Sequence, residues 1–236
     1  MKLKQIATIH TDFPTKFGIP RQSGLVNELT GEIVFEPEFR KHEALKGIEE
    51  YSHLWLIWEF SEVTKKQTAW SALVFPPRLG GKESRGVFAT RSPFRPNPLG
   101  LSCVKLEKVI LEGKNAPKLI VSGIDMLDGT PIYDIKPYLP YADVKEDAKG
   151  GFGQAHHADG IEVVFAQNLL EKIPMEKREA LCKVLEQDPR AAYQKKPDFV
   201  YGMSFDRWDI RFQIRDNRLV VSDVIPLNQT DFQKIK

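Results

Sequence analysis

Two arginines stand among three prolines in the stretch VFATRSPFRPNPLG, Val87 to Gly100, which lies between two apolar runs. Because proline fixes φ and lacks a backbone N–H, this spacing excludes helix and favours a rigid, irregular loop. Arg91 and Arg95 are therefore presented by a stiff backbone, and a guanidinium held in this way loses little freedom when it binds a carboxylate or phosphate. The stretch predicts a site for an anionic ligand.

The positive charge around this loop is local. Between Arg78 and Gly100 the chain has five basic residues and one acid, Glu83, although the whole protein has a formal net charge of +2. The basic residues are Arg78, Lys82, Arg85, Arg91 and Arg95. A positive patch in a near-neutral protein indicates a phosphate-binding surface. The alternative is a rigid turn whose arginines face water or pair with surface carboxylates.

Two more segments carry side chains suited to binding. IPRQSGL, Ile19 to Leu25, offers the hydrogen-bonding groups of Gln22 and Ser23, while Gly24 permits close approach of a ligand to the backbone. GIDMLDGTPIYDIKPYLPY, Gly123 to Tyr141, is rich in carboxylates and contains a predicted tight turn. Both segments could contribute to the same site.

Three carboxylates, Asp125, Asp128 and Asp134, fall close together in the second segment. Asp128 precedes a glycine, and Asp-Gly is a common turn pair, so a turn is its simplest interpretation. Asp134 stands between a tyrosine and an isoleucine in a strand-like run. We interpret it either as paired with an arginine such as Arg91 or Arg95, or as a catalytic base, and the sequence favours neither.

The elements that must position these loops are mainly strands. Five segments of the N-terminal half are short, rich in β-branched or aromatic residues, and bounded by turn residues, which is typical of a barrel or sandwich. They are Lys4 to His10, Gly31 to Pro37, His53 to Phe60, Leu101 to Gly113 and Lys118 to Asp125. A short helix is predicted from Pro37 to Gly47. The third strand, HLWLIWEF, is almost wholly apolar, so we expect cover on both faces, either as a central strand or by a partner subunit.

Glycines and polar residues replace the strand pattern from Asp143 to Gly160 and predict a domain boundary. We therefore expect one domain of residues 1–150 and a small α+β domain of residues 151–236. The second domain is predicted to contain an amphipathic helix, followed by a β-hairpin with one buried face. The apolar residues concerned are Leu181, Val184 and Leu185 of the helix and Trp208, Ile210, Phe212 and Ile214 of the hairpin.

Composition limits the class of protein. With 236 residues, of which 42% are hydrophobic and 28% charged, the chain can bury a substantial core. It has no apolar run of about 18 residues and no signal-like start, so we expect a cytoplasmic protein. Cys103 and Cys182 lack metal-ligand spacing, and GFGQA lacks the leading strand and third glycine of a dinucleotide fingerprint. We therefore expect neither a metal nor a Rossmann-type site.

Several motifs occur in the order in which a known family has them. PRQSGL, GIEEYSHLWLIWEF, PPRLGG, GVFATRSPFRPNPLGLS, DMLDGTPIYDIKPYLPY and DPRAAY follow one another along the chain. In these motifs the sequence resembles, over essentially its whole length, the TrmO (TsaA-like, YaeB) tRNA methyltransferases. The resemblance implies a mainly β fold, with an N-terminal β-barrel methyltransferase domain that is not a Rossmann fold and a small C-terminal α+β domain. It also implies a homodimer whose cofactor site lies near the subunit interface.

The reaction implied by the resemblance is S-adenosylmethionine-dependent methylation of N6 of N6-threonylcarbamoyladenosine, beside the anticodon of threonine tRNAs. Carried over motif by motif, the resemblance implies that the cofactor lies among Gln22, Ser23, Gly24, Ser61, Glu62, Arg91, Leu101, Asp128, Gly129, Thr130 and Pro131. Many relatives have His where this chain has Ser61, so only a backbone contact would survive at that position.

Hypotheses about catalysis follow from the acceptor. The lone pair of a carbamoylated N6 is delocalised, so this nitrogen is a poor nucleophile whose proton is correspondingly easier to remove. We predict that Asp134, or else Asp128, accepts that proton, while Arg91 or Arg95 binds the threonyl carboxylate or a flanking phosphate. Unpaired bases would stack on aromatic side chains. The stacking candidates are Tyr138, Tyr141 and Phe94, and the catalytic candidates are Asp134, Asp128, Arg95 and Tyr138. A methyltransferase for another acceptor and an RNA-binding module without catalysis remain alternatives.

Overall fold

A computed structural model of the chain describes residues 2–64, 70–76, 81–155, 160–190 and 199–228. The fold is mainly β, as predicted. In chain order the strands are β1 (Ala7–His10), β2 (Thr30–Phe35), β3 (His53–Glu59), β4 (Leu73–Val74), β5 (Arg85–Gly86), β6 (Leu99–Ile110), β7 (Lys118–Ser122), β8 (Thr130–Pro137), β9 (Glu162–Val164), β10 (Tyr201–Phe205), β11 (Trp208–Arg215) and β12 (Arg218–Pro226). The helices are α1 (Ser61–Thr64), α2 (Pro140–Asp143), α3 (Gly151–Ala155), α4 (Gln167–Leu170) and α5 (Met175–Glu186). No helix in these ranges is long and apolar enough to cross a membrane.

Six strands close into a barrel in the order β1-β2-β7-β6-β3-β8. Side chains along β3 alternate between the barrel interior and its outer surface, since successive residues of a strand point to opposite faces. Leu54, Leu56 and Trp58 are buried inside, whereas Trp55 and Ile57 point outward and are only partly buried. The prediction that HLWLIWEF is a central strand is therefore confirmed by its pairing with β6 and β8. Cover of its outer face by a partner subunit stays a prediction.

The barrel directs all of the candidate loops to one end. Strands β1, β3 and β7 end there, and strands β2, β6 and β8 begin there, because neighbouring strands run antiparallel. The connections of residues 11–29, 60–98 and 123–129 consequently emerge from a single rim. We call this end of the barrel the loop rim. The Gln22–Gly24 segment, the arginine-proline loop and the Asp128 turn all belong to it.

The helical stretch predicted from Pro37 to Gly47 is confirmed only in part. Instead of an α-helix from Pro37 to Gly47, the chain forms two separate 3-10 turns, Pro37–Phe39 and His42–Leu45. Only Leu45 of these turns is buried, so the segment lacks the apolar face that stabilises a longer helix through packing.

The C-terminal unit is a four-stranded sheet of order β10-β11-β12-β9 covered by α5. The predicted helix and hairpin are both confirmed. Leu181, Val184 and Leu185 are buried on one side of α5. Asp216 and Asn217 connect β11 to β12 with φ of 47° and 59°, the left-handed conformation that two-residue hairpin turns require.

The C-terminal unit packs directly on the connection of residues 11–29. The backbone N–H of Asp206 donates to the Asp12 carbonyl at 2.7 Å, and the rings of Phe13 and Phe205 meet edge to face with centroids 5.7 Å apart. Gly18 allows a second contact, because a Cβ there would lie 2.3 Å from the Met203 sulfur. Buried side chains of both units form one continuous core. The C-terminal unit thus supports the base of the connection that carries Gln22 to Gly24.

Candidate active site

The segment Gln22–Gly24 lies along an edge of β6 that is not paired with any strand among the described residues. Pairing between β6 and β7 begins only at Lys105, so residues before Lys105 need other partners on that side. Ser23 Oγ accepts a hydrogen bond from the Cys103 backbone N–H at 3.1 Å. Gly24 N–H donates to the Gly123 carbonyl at 2.9 Å. We call residues 22–24 the cofactor loop, after the role that the family resemblance implies for them, and these bonds hold it against the barrel.

Arg91 forms a hydrogen bond to the cofactor loop, whereas Arg95 forms hydrogen bonds within its own loop. Arg91 Nη1 donates to Gln22 Oε1, which joins the arginine-proline loop to the cofactor loop. The Arg91 residue is exposed, and a guanidinium has five N–H donors, so further donors remain for an anionic group. Arg95 Nη1 instead donates to the Thr90 carbonyl at 3.1 Å. The two arginines that look equivalent in sequence therefore have different surroundings.

Asp125 is the site residue to which sequence reasoning assigned no role. Its Oδ1 accepts a hydrogen bond of 2.6 Å from Ser102 Oγ, and Ser102 Oγ in turn accepts one of 2.9 Å from Trp58 Nε1. Burial raises the pKa of Asp125 to about 6, against the lowering effects of hydrogen bonds from Ser102 and Ser23 and of the Arg91 charge. The sequence does contain a signal for Asp125, because this carboxylate stands directly after the apolar strand run KLIVSGI.

The Asp128 turn occupies a different part of the loop rim. Asp128 Oδ1 accepts from the Thr11 backbone N–H at 3.2 Å and lies 3.2 Å from His10 Nδ1. Gly129 has φ of 78° and donates its N–H to the Ile9 carbonyl at 2.9 Å. The turn therefore sits over β1 and β8, whereas the cofactor loop sits beside β6 and the end of β7. In the cyclic strand order these two pairs lie across the barrel mouth from each other.

Asp134 lies on the outer wall of the barrel, which we define as the outward faces of β8, β3 and β6. Register places Asp134 opposite Ile57, and Ile57 opposite Leu101. Two strand spacings put Asp134 about 10 Å from Leu101 in the same row. The outer wall thus connects Asp134, through an apolar surface, to the edge of β6 on which the cofactor loop lies.

The hypothesis that Asp134 pairs with an arginine is wrong. Its Oδ2 lies 2.8 Å from Nζ of Lys136, and the Asp134 side chain is 44% exposed. Residues two apart on a strand share a face, so the partner of Asp134 comes from its own strand.

The remaining candidates are distributed along the barrel. Ser61 and Glu62 begin α1 directly after β3, where the Phe60 N–H donates to the Pro98 carbonyl at 2.9 Å and so brings them to the start of β6. Tyr138 lies at the opposite end, with its ring centroid 5.7 Å from that of Trp55. Exposed aromatic residues include Phe94 and Tyr141, while Arg78 lies outside the described residues. In the part of the chain that the structure describes, no group of three side chains could hold a metal ion.

Comparison with known proteins identifies the family. Residues 8–144 match the tRNA-methyltransferase O N-terminal domain, and residues 159–227 match the TrmO C-terminal domain. The tRNA (adenine(37)-N6)-methyltransferase of Escherichia coli K12 is 37% identical over 223 residues, which are 91% of this chain and 94% of that protein. A Pseudomonas aeruginosa protein, named as an S-adenosylmethionine-dependent methyltransferase, is 41% identical over 213 residues, 87% of this chain and 88% of its own.

The fold comparison agrees with the sequence comparison. The crystal structure of TrmO from Pseudomonas aeruginosa superposes with a TM-score of 0.73 at 35% sequence identity and covers 95% of this chain and 98% of its own. Both predicted parts, the barrel and the small α+β unit, are thus matched in one solved protein. The chain belongs to the tRNA-methyltransferase O family.

Proposed function

We propose that this protein is an enzyme that transfers the methyl group of S-adenosylmethionine to N6 of N6-threonylcarbamoyladenosine, beside the anticodon of threonine tRNA. The names of the Escherichia coli and Pseudomonas aeruginosa relatives support the reaction class and the methyl donor. The observation that carries the proposal is the junction of the cofactor loop with Arg91, open onto the apolar outer wall that leads to Asp134.

The residues at this junction fit the proposed donor. Gly24 has φ of 75°, and no other atom lies within 4 Å of the position where its Cβ would be, so a ligand has room there. Arg91 suits the ligand's carboxylate, Gln22 and Ser23 offer polar groups, and Leu101 offers apolar surface. When bound, S-adenosylmethionine supplies a methyl group already activated by its sulfonium. The protein therefore needs mainly to hold the acceptor nitrogen in line.

A homodimer is part of the proposal. Leu101 is 53% exposed and forms, with Trp55 and Ile57, an outward apolar surface that suits contact with another protein surface. A second copy would cover this surface. It would also bring another Asp128–Pro131 turn towards the cofactor loop, from which the turn of the same chain is separated by the barrel mouth. The cofactor residues predicted in two groups would then meet between subunits.

Asp134 is proposed as the proton acceptor. A carboxylate at this place on the outer wall can take the N6 proton as the nitrogen attacks, and a positioned general base contributes about 10²–10⁴-fold to a rate. Lys136, 2.8 Å away, compensates the charge of the base before the proton arrives. Asp128, whose Oδ1 accepts a hydrogen bond from the Thr11 backbone N–H and contacts His10 Nδ1, is the second candidate.

The surface beside the site suits an anticodon loop. Arg85 and Lys82 lie on the same connection as Arg91, and they can follow phosphates of the RNA backbone. Phe94, on the arginine-proline loop, is 48% exposed and so is available for stacking by unpaired bases. Tyr141 is 85% exposed but follows β8 at the opposite end of the barrel. Tyr138 is partly buried against Trp55 at the end of the barrel opposite the loop rim, so it is not proposed for stacking or catalysis.

A methyl-transfer assay with purified protein tests the proposal. Threonine tRNA carrying threonylcarbamoyladenosine should gain one methyl group, detected by mass spectrometry of its nucleosides, while the same tRNA without the threonylcarbamoyl group should not. Equal methylation of both tRNAs would reject the proposed acceptor. Absence of binding heat with S-adenosylmethionine in calorimetry would reject the donor and leave an RNA-binding module.

The base is tested by Asp134→Asn. Turnover should fall by about 10²-fold or more, whereas affinity for S-adenosylmethionine should stay within about twofold, since the amide keeps the shape of the side chain. Asp216→Asn is the matched control, because Asp216 is an exposed turn residue with φ of 47°, a conformation that Asn adopts readily. Unchanged turnover of the Asp134 variant would eliminate this residue as the base and direct the same test to Asp128.

A further inference from the structure

A chain of hydrogen bonds runs from the barrel interior to the cofactor loop, and the reaction described above does not use its central carboxylate. Trp58 Nε1 donates to Ser102 Oγ, and Ser102 Oγ donates to Asp125. Ser102 is fully buried and Trp58 is 6% exposed, so water cannot replace the hydrogen bond between these two side chains. Asp125 also accepts a backbone hydrogen bond from Ser23. The carboxylate therefore connects a rigid interior to a loop.

The inner end of this chain is immobile for a steric reason. Gly100 stands directly against the Trp58 ring, since a Cβ at Gly100 would be 2.1 Å from Trp58 Cε2. Close contact of the ring with the backbone fixes the direction of Nε1 and, through it, the Ser102 hydroxyl. Asp125 is thus oriented from inside the barrel.

The groups around the Asp125 carboxylate come from three elements. Ser102 approaches from β6, Ser23 from the cofactor loop, and Arg91 from the arginine-proline loop. Among these, Arg91 is the one charged group, and its positive charge favours the ionised carboxylate. Both parts of the proposed donor site, the loop and the arginine, therefore interact with the same carboxylate.

We propose that Asp125 is a positioning residue that holds the cofactor loop and Arg91 together and thereby sets the affinity for S-adenosylmethionine. This inference rests on the proposed function, because it assumes that the loop binds the methyl donor. The ionised carboxylate accepts from Ser102 and Ser23 at once and attracts Arg91, whereas the protonated acid loses the charge and part of its acceptor capacity. Ionisation of this residue is thus coupled to ligand binding.

The sign of the pH effect follows from the ionised form being the competent one. Burial raises the pKa of Asp125 to about 6, so the site is intact above that pH and is lost as the pH falls through it. A ligand that needs the ionised form loses about tenfold in affinity for each pH unit below the pKa. Titration of the ligand itself is common to all variants and cancels when they are compared.

Calorimetry with S-adenosylmethionine at pH 5 to 7.5 tests the inference on the full-length protein. The Kd of the wild type should rise about tenfold between pH 7 and pH 5. Asp125→Asn should bind about tenfold more weakly at pH 7.5, the effect of one hydrogen bond to a charged group, and its Kd should no longer follow this pH dependence. An Asp125→Asn protein with the wild-type Kd and pH profile would overturn the inference while leaving the proposed function intact.

A second pair of variants separates positioning from general damage. Ser102→Ala removes a bond that lowers the pKa of Asp125, so the midpoint of the pH profile should move to higher pH. Ser122→Ala is the matched control, because buried Ser122 also donates to a carboxylate at 2.6 Å, that of Glu107, and should leave the midpoint unchanged. An unshifted midpoint in Ser102→Ala would contradict the inference even if Asp125→Asn failed to fold. If the wild type gave no heat at any pH, the proposed function itself would fail.

Discussion

Lys177 fastens the C-terminal unit to the barrel, and its removal gives a measurable prediction. The Lys177 ammonium lies between two carboxylates, in contact with Asp12 of the barrel connection and 3.0 Å from Asp206 Oδ2. Desolvation lowers the pKa of Lys177, but its hydrogen bonds to Asp12 and Asp206 outweigh this and raise it. We predict that Lys177→Met, which keeps the length of the side chain, destabilises the protein.

The magnitude follows from the exposure of the three side chains. Lys177 is 26% exposed, Asp12 19% and Asp206 24%, so the cluster is neither fully buried nor solvated. Breaking a fully buried pair costs about 3–5 kcal/mol and an exposed pair contributes about 0–1 kcal/mol. We therefore expect Lys177→Met to lower the free energy of unfolding by about 2 kcal/mol at pH 7, measured by urea denaturation.

The pH dependence gives the prediction a second test. Burial raises the pKa of Asp12 despite the neighbouring Lys177, so ionisation of this carboxyl opposes folding as the pH rises through its folded-state pKa. Without Lys177 the two carboxylates repel each other, and protonation relieves that repulsion. The deficit of the variant should therefore shrink as the pH falls through the pKa of Asp12.

The control is a lysine on the same helix. Lys183 of α5 pairs with Glu186 at 2.9 Å, but its side chain is 46% exposed. Lys183→Met should leave the free energy of unfolding unchanged within error. A deficit in Lys177→Met no larger than that of Lys183→Met, or one that grows on acidification, would refute the reasoning.

Two further predictions concern packing and ionisation in the barrel. Gly100→Ala should lower the free energy of unfolding by about 1–3 kcal/mol in chemical denaturation, because its Cβ would overlap the Trp58 ring. Gly86→Ala is the control, since a Cβ at Gly86 meets nothing within 4 Å. Equal losses of stability in the two variants would contradict this account. The hydrogen bond from Tyr133 to Glu59 raises the pKa of Tyr133 to about 12, so Glu59→Gln should lower it towards the ordinary value of about 10 in a phenolate absorbance titration. A wild-type tyrosine here that already titrates near 10 would exclude the effect.

Local elements were predictable because their signals are local. The alternation of Trp208, Ile210 and Phe212 with polar residues predicts a hairpin with one buried face, and the structure confirms it. The prolines after Arg91 exclude helix through their own geometry, and the chain is irregular there. The helical stretch expected from Pro37 to Gly47 is confirmed only in part because helix stability depends on packing, which composition alone does not reveal.

The candidate site was predictable in its parts and not in its arrangement. Spacing and residue type single out Arg91 and the Gln22–Gly24 segment, which the structure joins by a hydrogen bond. Nothing in the spacing distinguishes Arg91 from Arg95. They differ in their hydrogen-bond acceptors in the folded protein, which are the Gln22 side-chain amide for Arg91 and the Thr90 carbonyl for Arg95. Asp125 was likewise unassigned, since its partner Ser102 comes from another strand.

The sequence by itself determined the main strands of the barrel, the C-terminal helix and hairpin, the rigidity of the arginine-proline loop and the family resemblance, since each depends on residues that are near one another in the chain. The tertiary structure alone decided that three connections share one rim, that the Asp128 turn lies across the barrel mouth from the cofactor loop, and that Asp134 faces the outer wall beside Lys136. The physical reason is barrel closure. Strand order and register are set by the packing of distant strands around a common core, and they determine which polar side chains become neighbours.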